Sequence, residues 1–156
     1  MADDPPPGAE QLRELALALH DVSWRIARFG PAQAGVDPLP ASELAVLRTV
    51  MDHPDRPMSE VAQTLSMQPS NVSAAVRNLL ERGLVEKHPH PHDRRVSLLS
   101  PTRKALRNRD RIEETIAATV SAALGAIPAE HAEALTGALP ALRALAAALG
   151  SQTWRL

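Results

Sequence analysis

The spacing of apolar residues changes abruptly at Gly83, and that change constrains the fold more than any other feature of the 156-residue chain. Upstream, Ser59 opens a short helical stretch whose apolar residues are Val61, Ala62 and Leu65, and Ser66, Met67 and Gln68 read as a turn. Pro69 starts a second helix at the first-turn position, where its missing N–H costs nothing. Val72, Val76, Leu79 and Leu80 give that helix an inward face as far as Glu81. Downstream the period shortens. Leu84–His88 and Val96–Leu99 are β-prone runs separated by Pro89, Pro91 and a charged tip, His92 to Arg95. Two short helices across a tight turn form a helix-turn-helix, and a hairpin attached directly to the second helix makes it winged. The expected fold class is mostly α with a small β-hairpin wing.

The flanks are helical. From Ala9 to Phe29 the apolar positions Leu12, Leu15, Leu19, Val22, Ile26 and Phe29 recur at heptad-like spacing, with Gly30 and Pro31 as helix breakers. So regular a seam requires cover, within its own domain or from a partner helix. A second helix is expected over Ala41–Asp52, with Leu44, Leu47 and Val50/Met51 on one face. Beyond the hairpin, Ser100 is a candidate N-cap with Pro101 in the first turn, for a helix running to about Leu124. A last helix spans Ala129–Leu149, with Leu135, Leu139, Leu142 and Leu149 inward, and Pro140 should kink or split it.

Composition narrows the function. The chain has no cysteine, which removes disulfides, thiolate metal sites and a thiol nucleophile. With only Trp24, Phe29 and Trp154 as aromatics, a core must be built from Leu, Ala, Val and Ile. There is no Gly-rich phosphate loop, HExxH or GxSxG pattern, so an enzyme is not expected. Met1–Gly8 lacks the basic and apolar regions of a signal peptide, and no apolar run reaches bilayer length; a cytoplasmic protein without membrane contact is expected. The net charge of −1 conceals a separation: Arg56–Arg111 holds eleven Lys/Arg against five Asp/Glu, and the remainder six against thirteen. A basic centre between acidic ends steers one face toward phosphate.

The stretch from Ser59 to Thr102, with its "LLERGLVEK" exit into a strand, "DRR" tip and "LSPT" helix start, resembles the multiple-antibiotic-resistance regulator (MarR) family, and the helix order extends the resemblance over residues 9–149. The resemblance implies homodimers in which the first and last two helices interlock, winged domains on palindromic operators, and release by small lipophilic ligands. The chain then divides into a disordered tail (1–8), a helical dimerisation region (9–40 and 101–149), a winged helix-turn-helix domain (41–100) and a C-terminal tail (150–156). Two departures stand out: Ala74 occupies a position where the family often has arginine, and Pro101 and Ala105 replace a leucine and a glycine after the wing.

An α-helix fits the major groove, N-terminal residues first. On the Pro69 helix the outward set is Ser70, Asn71, Ser73, Ala74 and Arg77. Asn71 can pair with adenine, Arg77 with guanine or phosphate, the serines with phosphate or bases, and Ala74 with a thymine methyl; alternatively, Ser70 and Asn71 only cap their own helix. Arg94 and Arg95 are candidates for the minor groove, with the family pattern leaning to Arg95, and Asp93 supports the wing by pairing with a nearby arginine. Arg82 and Lys87 are candidate phosphate contacts. His20, Trp24, Arg28 and His53 form a candidate effector pocket, with plain packing as the alternative. No metal or cofactor is expected, although His88, His90 and His92 alternate along an extended segment and make a metal-responsive regulator an alternative. A winged helix serving only as a protein–protein module is the other. The expected partners are double-stranded DNA, a second copy and a possible small-molecule ligand.

Overall fold

The computed structural model describes residues 8–93 and 95–150. The tails assigned to 1–8 and 150–156 fall outside it except for Gly8 and Gly150, as do Arg94 and Trp154. Among the described residues the order is α1 (Ala9–Gln33), α2 (Ala41–Asp52), β1 (Arg56–Pro57), α3 (Met58–Leu65), α4 (Pro69–Glu81), β2 (Val85–Pro89), β3 (Ser97–Pro101), α5 (Arg103–Gly125), α6 (Ala129–Gly137) and α7 (Leu139–Gly150). No single helix among them is long and apolar enough to cross a membrane.

The winged helix-turn-helix is built around one core. Val46, Leu47 and Val50 of α2, Val61 and Ala62 of α3, and Val72, Ala75, Val76 and Leu79 of α4 meet Leu84, Val85, Leu99 and Ala105. Among the described residues no aromatic ring enters it. α3 ends at Ser66, whose φ of 51° turns the chain into the left-handed region. α4 ends through Arg82 into Gly83, whose φ of +65° is open to glycine at no steric cost. β2 and β3 pair antiparallel with His88 opposite Leu98 and Glu86 opposite Ser100.

Several sequence expectations need correction. Leu44 is exposed and Val46 takes its place in the core. The sheet has a third strand: β1 pairs with β3 through Arg56↔Leu99 and Pro57↔Leu98, giving the order β1-β3-β2. Ser100 and Pro101 belong to β3, and the N-cap of α5 is Thr102, whose hydroxyl accepts from the Ala105 amide at 3.2 Å. Pro101 is tolerated because it lies beyond the two residues that pair with β1.

α1 does not stop at Gly30–Pro31. It continues to Gln33, and the chain turns at Gly35 with φ +63°. Gly30 is instead a point of close approach to α5: a Cβ there would stand 3.3 Å from Cδ1 and Cγ1 of Ile116. The Ala34 carbonyl just past the helix accepts from the Arg111 guanidinium of α5, which places a cation at the negative end of the α1 dipole.

The last helical stretch is split at Ala138 into α6 and α7, 48° apart, with Pro140 in the first turn of α7. Leu135, Leu139, Leu142 and Leu149, expected to face inward, are exposed in the protomer, and neither α6 nor α7 has a buried residue. Leu12, Leu15 and Val22 of the α1 seam are exposed too, while Leu19, Ile26 and Phe29 are half-buried.

Candidate nucleic-acid interface

α4 begins on Gln68 without a side-chain cap. Ser70, Asn71, Ala74 and Arg77 are exposed and Ser73 is half-buried, so all five lie on the face opposite Val72, Val76 and Leu79. Among the described residues, the side chains of Ser70, Asn71, Ser73 and Arg77 make no hydrogen bond or ion pair; neither Ser70 nor Asn71 caps its own helix. The first turn of α4 thus presents uncommitted hydroxyl and amide groups at the positive end of a helix dipole.

The wing tip is held by backbone geometry. The Asp93 carboxylate accepts from the Arg95 backbone amide at 2.9 Å, the Asp93 carbonyl accepts from Val96 at 3.0 Å, and the His90 amide donates to Val96 at 2.9 Å. Asp93 therefore shapes the tip through a main-chain turn, and among the described residues no arginine side chain pairs with it. This leaves the exposed Arg95 guanidinium unengaged among the described residues. Lys87, opposite Leu99 on β2, is exposed and likewise unpaired.

Arg82 is differently placed. Its Nε stands 3.5 Å from Oε2 of Glu43, and the other oxygen of that buried carboxylate accepts from Asn78 at 2.7 Å. The Arg82 carbonyl accepts from Lys104 Nζ at 2.7 Å. Glu43, Asn78 and Lys104 were not singled out from the sequence. Glu43 did leave a signal, a charge in register with Val46, Leu47 and Val50 on an apolar stripe.

The histidines separate. His88 Nε2 lies 2.8 Å from both Asp55 Oδ1 and Ser100 Oγ, linking β2 and β3 to the residue just before β1. The Ser100 hydroxyl, and after it the His88 ring, hold the Asp55 carboxyl below the usual carboxylate range. His90 and His92 pack edge to face with centroids 6.0 Å apart. Among the described residues no three His, Asp or Glu side chains converge as a metal-ligand set.

The candidate effector residues are dispersed within one protomer. Trp24 and Arg28 form a cation–π pair at 5.2 Å on the exposed surface of α1, with His20 one turn before them. His53 borders a shallow cavity of about 220 Å³ with Thr49, Arg56, Glu60, Val61 and Thr64, a set containing none of the α1 residues.

Residues 37–96, which carry α2, α3, α4, β2 and the wing tip, match the MarR family. The match does not extend over α1 or over α5, α6 and α7. No curated protein matches the chain. The structure is similar to that of a putative transcriptional regulator from Pseudomonas aeruginosa (28% identity, TM-score 0.70, 90% of this chain and 98% of that one). It is also similar to RV1404 from Mycobacterium tuberculosis (18%, 0.76, 91% and 97%) and to FabT from Streptococcus pneumoniae in complex with DNA (18%, 0.61, 91% and 99%). At 18% identity the last two likenesses concern the fold.

Proposed function

We propose that this chain is a MarR-family regulator: a homodimeric, sequence-specific DNA-binding transcriptional repressor, acting in the cytoplasm and released from its operator by a small-molecule effector. The observation that carries the reading is the first turn of α4, where Ser70, Asn71 and Ser73 are free of intramolecular bonds beside an equally free Arg77. Helix N-termini of this kind enter the major groove and read base edges. Lys87, Arg94 and Arg95 then serve the backbone and minor groove on the wing side, and Asp93 keeps the tip in shape. The DNA-bound FabT structure, of the same fold, supports this docking.

Dimerisation is supported by the apolar surface. Of the large apolar side chains left exposed among the described residues, only Leu44 lies outside α1 and the segment 127–150. We assign α1, α5, α6 and α7 to the dimerisation region and the remainder to the winged domain. An apolar cleft at Ile127, Pro128, His131 and Leu135 lies on the same surface. Two-fold symmetry then requires an inverted-repeat operator with half-sites about one helical turn, roughly 34 Å, apart.

Selection of bound sequences from a random duplex library tests the reading, followed by mobility-shift titration at several salt concentrations. A two-fold symmetric motif whose affinity falls steeply with salt is expected. Absence of duplex affinity at low salt refutes it.

A further inference from the structure

Glu43 is the one charged side chain among the described residues that is buried in the core, 4% exposed on the first turn of α2. Burying a carboxylate costs several kcal/mol unless partners compensate it. Here the compensation is incomplete. Oε1 accepts from Asn78, whereas Oε2 is buried without a hydrogen bond and faces Arg82 Nε at 3.5 Å. A methionine or leucine would fill the same space without that cost, so packing alone does not account for a glutamate.

Both groups facing Glu43 lie at the C-terminal end of α4, Asn78 in its last turn and Arg82 as its C-cap. Asn78 and Arg82 are one helical turn apart on one side of it, and α2 is the helix that supports α4 in the core. Ser70 and Asn71 stand about 11 Å along the axis from Asn78 at 1.5 Å per residue. A tilt of about 10° at this anchor would displace them by about 2 Å, more than a hydrogen bond to a base edge tolerates. Arg82 is also held from below, through its carbonyl, by Lys104 at the start of α5. Its side chain is 43% exposed, and Nε is the nitrogen that stands 3.5 Å from the carboxylate. The terminal nitrogens of a guanidinium held through Nε remain available as a planar fork of the kind that fits phosphate.

We propose that Glu43 is a positioning residue for DNA recognition: it anchors the C-terminal turn of α4 through Asn78 and orders Arg82 as a fork for a backbone phosphate. The inference rests on the DNA-binding reading above. A preordered arginine loses less side-chain freedom on binding than a free one. Against this, a carboxylate beside the arginine opposes phosphate electrostatically, so the sign of the net effect is itself a test.

Two measurements decide it. In the free wild-type protein, the Arg82 Nε proton, read by ¹⁵N–¹H NMR, is expected to exchange with water more slowly than those of the exposed Arg103 and Arg107. Exchange as fast as theirs overturns the proposal. Glu43→Gln keeps the volume and an oxygen for Asn78 but removes the charge facing Arg82. By fluorescence anisotropy on a labelled duplex from the selection, Glu43→Gln and Arg82→Ala are each expected to weaken binding about tenfold, the scale of one hydrogen bond to a charged group. The double variant should be no weaker than Arg82→Ala alone. Unchanged or tighter binding by Glu43→Gln, a lowered melting temperature with affinity intact, or losses that simply add would each overturn it. If Glu43→Gln does not fold, Arg82→Lys replaces it: Lys keeps the charge but has no fork, so wild-type affinity for Arg82→Lys overturns the proposal. Failure of the wild type to bind any duplex would instead refute the DNA-binding reading, while the exchange measurement still reports whether Glu43 orders Arg82.

Discussion

Gly30 provides the sharpest test of how α1 is seated. At this position glycine is kept by a neighbour and not by a turn: a Cβ would meet Ile116 Cγ1 and Cδ1 at 3.3 Å and Ile112 Cγ2 at 3.5 Å. Gly30→Ala gains about 1 kcal/mol of helix propensity. It asks the half-buried tip of Ile116 to retreat by a few tenths of an ångström from a contact that relaxes at about 3.5–4.0 Å. The two effects nearly cancel, and Gly30→Ala is expected within about 0.5 kcal/mol of wild type. Gly30→Leu adds three further carbons, and overpacking of about 1–3 kcal/mol outweighs the propensity gain. The expected net loss is up to about 2 kcal/mol, a fall of up to about 4–8 °C in melting temperature for a chain of this size. Circular dichroism melts at matched protomer concentration, which removes mass-action differences, would measure it. A Gly30→Leu protein melting at or above wild type would refute the close α1–α5 approach and return Gly30 to the role of a helix stop.

Further expectations concern the core, the interface and the wing. Leu79→Ala empties a fully buried site on α4 and should cost about 2–5 kcal/mol in denaturant unfolding. Arg77→Ala leaves folding intact and reduces the slope of log affinity against log salt by about 1 if Arg77 meets a phosphate; loss of discrimination at one base pair with the slope unchanged would mark a base contact instead. Asp55, whose carboxyl is held below its ordinary value by Ser100 and His88, stabilises the fold above the unfolded carboxylate value of about 3.9 and loses that contribution as pH falls through its lower folded value. Asp55→Asn should therefore flatten the acid limb of the stability–pH curve, and superimposable acid limbs would count against the cluster.

The parts of the fold legible in the sequence are those whose signals are local. Pro69 at the first helical position and Gly83 beyond the last turn delimit α4 from either side, and the outward set on it needed only helical periodicity. Pro140 divides the last helix because proline cannot donate inside it. What escaped depends on distant partners. β1 is two residues long and is a strand only because Leu98 and Leu99 lie beside it. Ser100 and Thr102 are equally plausible caps until β3 claims the first. The glycine at position 30 resembles a stop because Ile116, its reason for being glycine, lies 86 residues away in the sequence. Arg82 was read as a phosphate contact from its position alone, and its relation to Glu43 required α2 and α4 to be brought together.

The C-terminal arm bends at Ala138 and buries none of its residues in the protomer. Under the homodimer proposed above, its order is supplied by the other subunit, so competent protein accumulates with the square of the subunit concentration while subunits are scarce. A cell diluting this protein by growth would therefore lose operator occupancy faster than it loses polypeptide, and newly made chains would expose leucine-rich helices to proteases until they met a mate.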